Sequence, residues 1–191
     1  MHRVFLLHRN AARSILAYLA ALTVLLSFCA YADETPTVAS SLQRSKAVTQ
    51  VVLGIFGYAR WPQQPATLRL CLIGPTEYAD DLIRGNVQNS AQPLQTRRLL
   101  AGDPSIPESC DAVYIGRLNT LQRQQLFRDI SAHPILSISE SDDSCTVGSM
   151  FCLNVTDEQV TFEVNLDSVA RSGVRIHPSV LQLSKRHGSR S

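Results

Sequence analysis

Ser141–Val174 reads SDDSCTVGSMFCLNVTDEQVTFEVNLDSVARSGV. Cys145 and Cys152 bracket a short loop that holds Gly148. Two runs with strand character follow, Met150–Val155 and Gln159–Leu166, joined by the turn residues Thr156-Asp157-Glu158. In the second run Val160, Phe162, Val164 and Leu166 alternate with Thr161, Glu163 and Asn165, which predicts one buried and one wet face. Asp167 opens a short helix that stops at Gly173, and Asn165 is placed to cap it. The stretch therefore predicts a disulfide-clipped hairpin that runs into a helix.

Upstream of this stretch the pattern changes. Thr67–Ile73, Gln92–Leu100, Cys110–Ile115 and Ile135–Ser139 read as strands. Between them, Glu77–Arg84 and Leu121–Ser131 read as helices, the second capped by Thr120. Gly102–Ser109 carries Pro104 and Pro107 and reads as loop. A longer helix from Ser40 or Ser41 places Leu42, Val48, Val51, Val52, Ile55, Phe56 and Ala59 on one face. Trp61-Pro62 ends it, because the residue before a proline is pushed out of the helical region. Strands that alternate with helices predict an α/β, three-layer domain with a mostly parallel sheet and right-handed crossovers. The hairpin is expected to add antiparallel strands at the sheet edge. A last helix begins after Pro178, and Lys185–Ser191 is read as a frayed basic tail.

Residues 1–32 read as a cleaved secretory signal peptide. Arg3, Arg9 and Arg13 form the basic start, Ile15–Phe28 is an apolar run, and Ala30-Tyr31-Ala32 gives the small-x-small cleavage pattern. Two other readings stand beside it. One is a lipoprotein through Leu26-Ser27-Phe28-Cys29, against which the bulk of Phe28 weighs; the other is a retained anchor helix. Cleavage after Ala32 takes 32 of 191 residues and leaves 159, expected as a single α/β domain over 33–191 with flexible ends. Three arginines leave with the leader, so 18 basic residues become 15 against 16 acidic ones, and the net charge moves from +2 to −1. A near-neutral domain lacks the global field for gripping nucleic acid. No membrane insertion is expected after cleavage.

Four cysteines remain: Cys71, Cys110, Cys145 and Cys152. In an exported chain they predict two disulfides, with three possible connectivities. Nearness in sequence favours Cys145–Cys152, which leaves Cys71–Cys110 between two strand runs. The long loop is worth about 4 kcal/mol and the short one about 2–3 kcal/mol. The short clip is read either as structural or as redox-responsive. A zinc site is the weaker reading, since no C-x-x-C pair is present.

No phosphate-binding loop, dinucleotide fingerprint, nucleophile elbow or H-E-x-x-H helix occurs, and no catalytic role, cofactor or metal is expected. Asp80-Asp81 are adjacent and on a helix do not share a face; Asp142-Asp143 read as turn formers. Two groups remain as candidate contact residues. Tyr58, Arg60 and Trp61 cluster at the end of the long helix, either with Trp61 plugging the core edge or with all three forming a cation–aromatic surface. Glu163, Arg171, Arg175 and His177 lie in or just after the hairpin, either as a polar patch for a partner or anionic ligand or as a solvated face.

Three segments resemble a known family. They are Phe56-Gly57-Tyr58-Ala59-Arg60-Trp61-Pro62, Ile135–Ser141 followed by a glycine-containing loop, and Val160–Leu166 running to Ala170-Arg171-Ser172-Gly173-Val174. In this order they resemble the YfiR/HmsC-like family over about Leu42 to Lys185. The resemblance implies a periplasmic, non-enzymatic α/β repressor, dimeric in form. It implies that the chain binds the periplasmic domain of the membrane diguanylate cyclase YfiN and holds it inactive. It also implies sequestration by YfiB, an outer-membrane lipoprotein with an OmpA-like domain, so that release of the cyclase raises cyclic-di-GMP and biofilm formation. Two other functions stand against this one. A small-ligand sensor would use the crevice at the strand ends of the parallel sheet. A thiol oxidoreductase would need a low-pKa exposed cysteine, which the six-residue gap between Cys145 and Cys152 does not favour.

Overall fold

The computed structural model describes residues 35–84, 92–140, 145 and 148–186. The expected signal peptide and cleavage site, Asp142-Asp143 and His187 lie outside the described residues. The chain divides into two compact units, Met1–Ser40 and Ser41–Ser191; of the first, only 35–40 is described.

The first element is helix α1, Thr35–Tyr58, which starts earlier than Ser40. Strand β1, Ala59–Arg60, follows directly. Then come β2 (Leu68–Ile73), α2 (Asp80–Ile83), β3 (Leu94–Leu99), α3 (Ile106–Ser109), β4 (Ala112–Ile115) and α4 (Thr120–Ile130). The rest is β5 (Leu136–Ser139), β6 (Phe151–Val155), β7 (Val160–Val164), α5 (Leu166–Arg171) and β8 (Arg175–Ile176). A 3-10 turn, Pro178–Val180, leads into α6, Leu181–Arg186.

Six strands form one sheet in the order β3-β2-β4-β5-β6-β7. Every pair is parallel except β6–β7. The expected pair of antiparallel strands is thus one strand, β7, since β6 runs parallel to β5. Only Ile138↔Phe151 and Ser139↔Cys152 are in register between β5 and β6. β6 starts where β5 ends. Gly148, at φ 107°, supplies a backbone conformation there that other residues rarely adopt.

Helices cover both faces. Val48, Val51, Val52 and Ile55 of α1 pack with Leu68, Leu70, Leu72, Tyr114, Leu136 and Ile138. On the other face Leu126 and Ile130 of α4 and Ile106 of α3 pack with Cys71, Ile73, Val113 and Ile115. Strands buried on both sides read as continuous apolar runs, as expected for a parallel sheet between helix layers. Leu42 does not join the buried stripe and is 40% exposed.

Four local expectations are corrected. Gly102–Ser109 contains a helical turn, α3, with Pro107 in the first turn, where its missing N–H costs nothing. Helix α4 is capped by Asn119, which accepts from the Gln122 N–H in a reciprocal capping box, rather than by Thr120. Helix α2 is one turn, Asp80–Ile83, instead of Glu77–Arg84, and the Glu77 and Tyr78 N–H groups just before it donate to the Glu140 carboxylate. Lys185 and Arg186 belong to α6 rather than to a tail. At α5 the expected cap holds: Asn165 Oδ1 accepts from the Ser168 N–H at 2.9 Å.

Candidate partner-binding site

Helix α1 cannot continue through Trp61-Pro62, so the chain leaves it at Ala59 and turns extended. There β1 pairs antiparallel with β8, from the far end of the sequence, in the register Ala59↔Ile176 and Arg60↔Arg175. The His177 N–H donates to the Tyr58 carbonyl at 2.9 Å and extends the ribbon by one pair. Strand alternation puts Tyr58, Arg60, Arg175 and His177 on one face, while Ala59 and Ile176 pack on the core, which the half-buried Tyr58 also touches.

On that outer face the Tyr58 and His177 rings stack, with centroids 6.3 Å apart and planes 28° from parallel. His177 Nδ1 accepts from the Ser179 N–H at 3.2 Å, which caps the 3-10 turn. Arg60 folds back over the end of α1, and its Nη1 donates to the carbonyls of Gly57 and Ala59 at 2.9 and 2.7 Å. A cation there sits at the negative end of the helix dipole. Arg175 is exposed, and among the described residues no carboxylate pairs with it or with Arg60. Two like charges opposite each other on a ribbon repel, and an anionic group placed between them relieves that repulsion.

Trp61 leaves this surface. It is 5% exposed, its Nε1–H donates to the Asp111 carbonyl at 2.8 Å, and it meets Phe56 edge to face at 6.2 Å. Its role is to plug the core edge. The other two candidates are not joined to the ribbon. Glu163 is exposed on β7, with its carbonyl 3.8 Å from Cys145 Sγ, and Arg171 is exposed in the last turn of α5. Both expected disulfides form. Cys71–Cys110 ties β2 to the residue before Asp111 and β4, and Cys145–Cys152 clips the loop onto β6.

Among the described residues, loop backbone and one side chain fill the crevice at the strand ends. It lies between β2 and β4, where the sheet order reverses. Above it Gly116 approaches the Pro75 peptide so closely that an added Cβ would sit 2.0 Å from the Pro75 oxygen. Beside it Glu140, 5% exposed, reaches in from the end of β5. Its carboxylate accepts from the Glu77 N–H at 2.8 Å to each oxygen, from the Tyr78 N–H, and from the Tyr114 hydroxyl at 3.2 Å. A side chain thus occupies the place where an anionic ligand would bind in such a sheet. Burial raises the Glu140 carboxyl above its ordinary value, against the lowering effect of the Glu77 and Tyr78 N–H groups. Burial, with the charge of Glu140, pushes the Tyr114 phenol up as well. Glu140 carried one visible signal in the sequence: it falls in phase with Leu136 and Ile138, a charged residue at a core-facing position.

No group of three or more His, Cys, Asp or Glu side chains suited to a metal occurs among the described residues. Asp80 and Asp81 diverge, Asp81 buried and Asp80 exposed, and both lie near Arg84, at 3.5 and 3.7 Å. No helix among the described residues is long and apolar enough to cross a membrane.

A family model described as YfiR/HmsC-like matches residues 45–185. The chain belongs to the YfiR/HmsC-like family. The match begins inside α1, ends inside α6, and takes in both strands of the outer ribbon, both disulfides and Glu140.

Proposed function

We propose that this YfiR/HmsC-like chain is a periplasmic negative regulator without catalytic activity of its own. It binds the periplasmic domain of a membrane diguanylate cyclase of the YfiN kind, holds the enzyme inactive, and so lowers cyclic-di-GMP and biofilm formation. Family membership over residues 45–185 is the observation that carries this reading. The filled crevice at the strand ends favours it over a small-ligand sensor that uses that crevice. In the same proposal an OmpA-like outer-membrane lipoprotein of the YfiB kind competes for the chain, and the working form is a homodimer.

The ribbon of Tyr58, Arg60, Arg175 and His177 is the proposed contact, with Glu163 and Arg171 as further contact residues. An anionic group of the cyclase domain would sit between the two arginines. Binding that favours the inactive state of the cyclase shifts its output by the difference in affinity for the two states. The test is direct mixing of the purified mature chain with the purified periplasmic domain of the cyclase. A complex on gel filtration is the expected result; separate elution at concentrations where both are folded would overturn the proposal.

The Cys145–Cys152 clip supports the β6–β7 edge that carries Glu163. Replacing both cysteines with serine is expected to weaken repression, read as a rise in cyclic-di-GMP, while the fold persists. The closed loop is short, so the stability lost is about 2–3 kcal/mol. Repression equal to that of the unaltered chain would remove the clip from the mechanism.

A further inference from the structure

Trp61 is the only tryptophan of the chain, and it directly follows β1. Its indole N–H donates to the Asp111 carbonyl at 2.8 Å, so the place of Asp111 fixes the chain just beyond Arg60. The His177 N–H on the Tyr58 carbonyl, at 2.9 Å, holds the same turn from its other end. Asp111 itself stands just before β4, with one ladder bond to each neighbouring strand. Its N–H donates to the Arg69 carbonyl at 2.9 Å, and its carbonyl accepts from the Leu136 N–H at 3.0 Å as well as from Trp61.

The larger hold is on the Asp111 side chain. Arg69 Nε donates to Oδ2 at 3.0 Å, Arg69 Nη2 to Oδ1 at 2.7 Å, and the Arg69 backbone N–H to Oδ2 at 2.8 Å. The remaining arm, Nη1, donates to the Glu108 carbonyl at 2.7 Å. A two-pronged guanidinium fork fixes direction as well as distance. Asp111 is 9% exposed, so its carboxylate depends on that fork for most of its compensation. Arg69 and Trp61 lie on opposite faces of the sheet. Leu68, Leu70 and Leu72 of β2 face the core where Trp61 packs, and alternation turns Arg69 to the other face with Cys71. Asp111 joins the two faces, with its carboxylate on one and its carbonyl on the other.

We infer that Arg69 is a positioning residue for the outer ribbon: through Asp111 it holds Trp61, and through Trp61 the turn that carries Tyr58 and Arg60. That the ribbon touches a partner rests on the proposed function; the hold on Trp61 does not. Without the guanidinium, a mostly buried carboxylate keeps a single N–H donor and turns toward water, which draws the Asp111 backbone away from the indole. The Cys71–Cys110 bridge beside Asp111 stays closed in such a variant and keeps the segment on β2. A change at Trp61 therefore reports the lost fork and not a lost fold.

The test uses the purified mature chain with Trp61 emission as the probe. Arg69→Met keeps an unbranched apolar stem and removes the fork. Acrylamide quenching of Trp61 is expected to rise at least about twofold in this variant, with a cooperative melting transition retained. Asp111→Asn added to Arg69→Met removes the stranded charge and should return the quenching toward the wild-type value. Arg69→Lys keeps the charge without the fork and should fall between the wild type and Arg69→Met. On titration with the periplasmic domain of the cyclase, Arg69→Met should bind at least about threefold more weakly. Wild-type quenching in a folded Arg69→Met chain, or a double variant no closer to the wild type than Arg69→Met, would overturn the inference. If Arg69→Met does not fold, Arg69→Lys decides, and wild-type quenching in it would overturn the inference. Raised quenching with unchanged affinity for the cyclase domain would overturn the positioning role and leave the proposed function standing. A wild-type chain that does not bind that domain would overturn the proposed function, while the hold on Trp61 stands or falls by the quenching.

Discussion

Gly116→Ala is expected to destabilise the chain more than any other glycine-to-alanine substitution outside the strands and helices. The new Cβ would lie 2.0 Å from the Pro75 oxygen and 2.6 Å from its carbonyl carbon. Both atoms are backbone, so no side chain can rotate away. The two loops are also tied together. The Gly116 N–H donates to Ile73 O and the Arg117 N–H to Pro75 O, each at 2.9 Å. Relief of the clash therefore means breaking those bonds or displacing the ends of β2 and β4, two central strands. The expected loss is about 3 kcal/mol, at the upper end for overpacking. Urea unfolding of the two proteins measures it. A midpoint unchanged within error would mean that the loops do not meet as described and that the crevice is open to a ligand.

Glu140→Ala should destabilise the chain as well. It removes the acceptor of the Glu77 and Tyr78 N–H groups and of the Tyr114 hydroxyl, all near the buried crest of the sheet. Donors left without an acceptor away from water cost more than the bonds they made, and the expected loss is about 2 kcal/mol. Its pH dependence has a definite sign. Burial raises the folded-state value of this carboxyl above the ordinary value near 4.5. The native state then holds the proton over a range where the unfolded chain has released it. The contribution of Glu140 is accordingly full at pH below that ordinary value and shrinks as pH rises through the folded value. The difference between the wild-type and Glu140→Ala chains should be larger at acid pH than at neutral pH. A difference that grows with pH would show that the carboxylate, and not the acid, is the form the site favours.

The parts of the fold that were legible in the sequence share a physical reason. Leu68–Ile73, Ala112–Ile115 and Leu136–Ser139 are buried on both faces, so they appear as unbroken apolar runs. Val160–Val164 has one wet face, so it alternates. Both disulfides followed from cysteine spacing and from the adjacency of strands. What escaped was non-local. The pairing of Ala59–Arg60 with Arg175–Ile176 involves two residues on each side, too few to set a pattern, at opposite ends of the chain. It nevertheless assembles Tyr58, Arg60, Arg175 and His177, which the sequence offered as two separate groups. The tie of the Glu77 and Tyr78 N–H groups was hidden for a similar reason, because their acceptor, Glu140, lies more than sixty residues away. Proline misled at α3, where Pro107 starts a helical turn instead of forbidding one.

The central claim is that this chain restrains a diguanylate cyclase through the arginine ribbon. Its most direct test is cyclic-di-GMP in a host that lacks the gene, restored either with the exported wild-type chain or with Arg60→Glu/Arg175→Glu. Both residues are exposed, so the variant should fold and reach the same compartment, which its level in the extracted fraction checks. The account predicts high cyclic-di-GMP after deletion, a return to the original level with the wild-type chain, and no return with the double variant. Full restoration by the double variant would contradict the ribbon as the contact, and no rise on deletion would contradict repression itself.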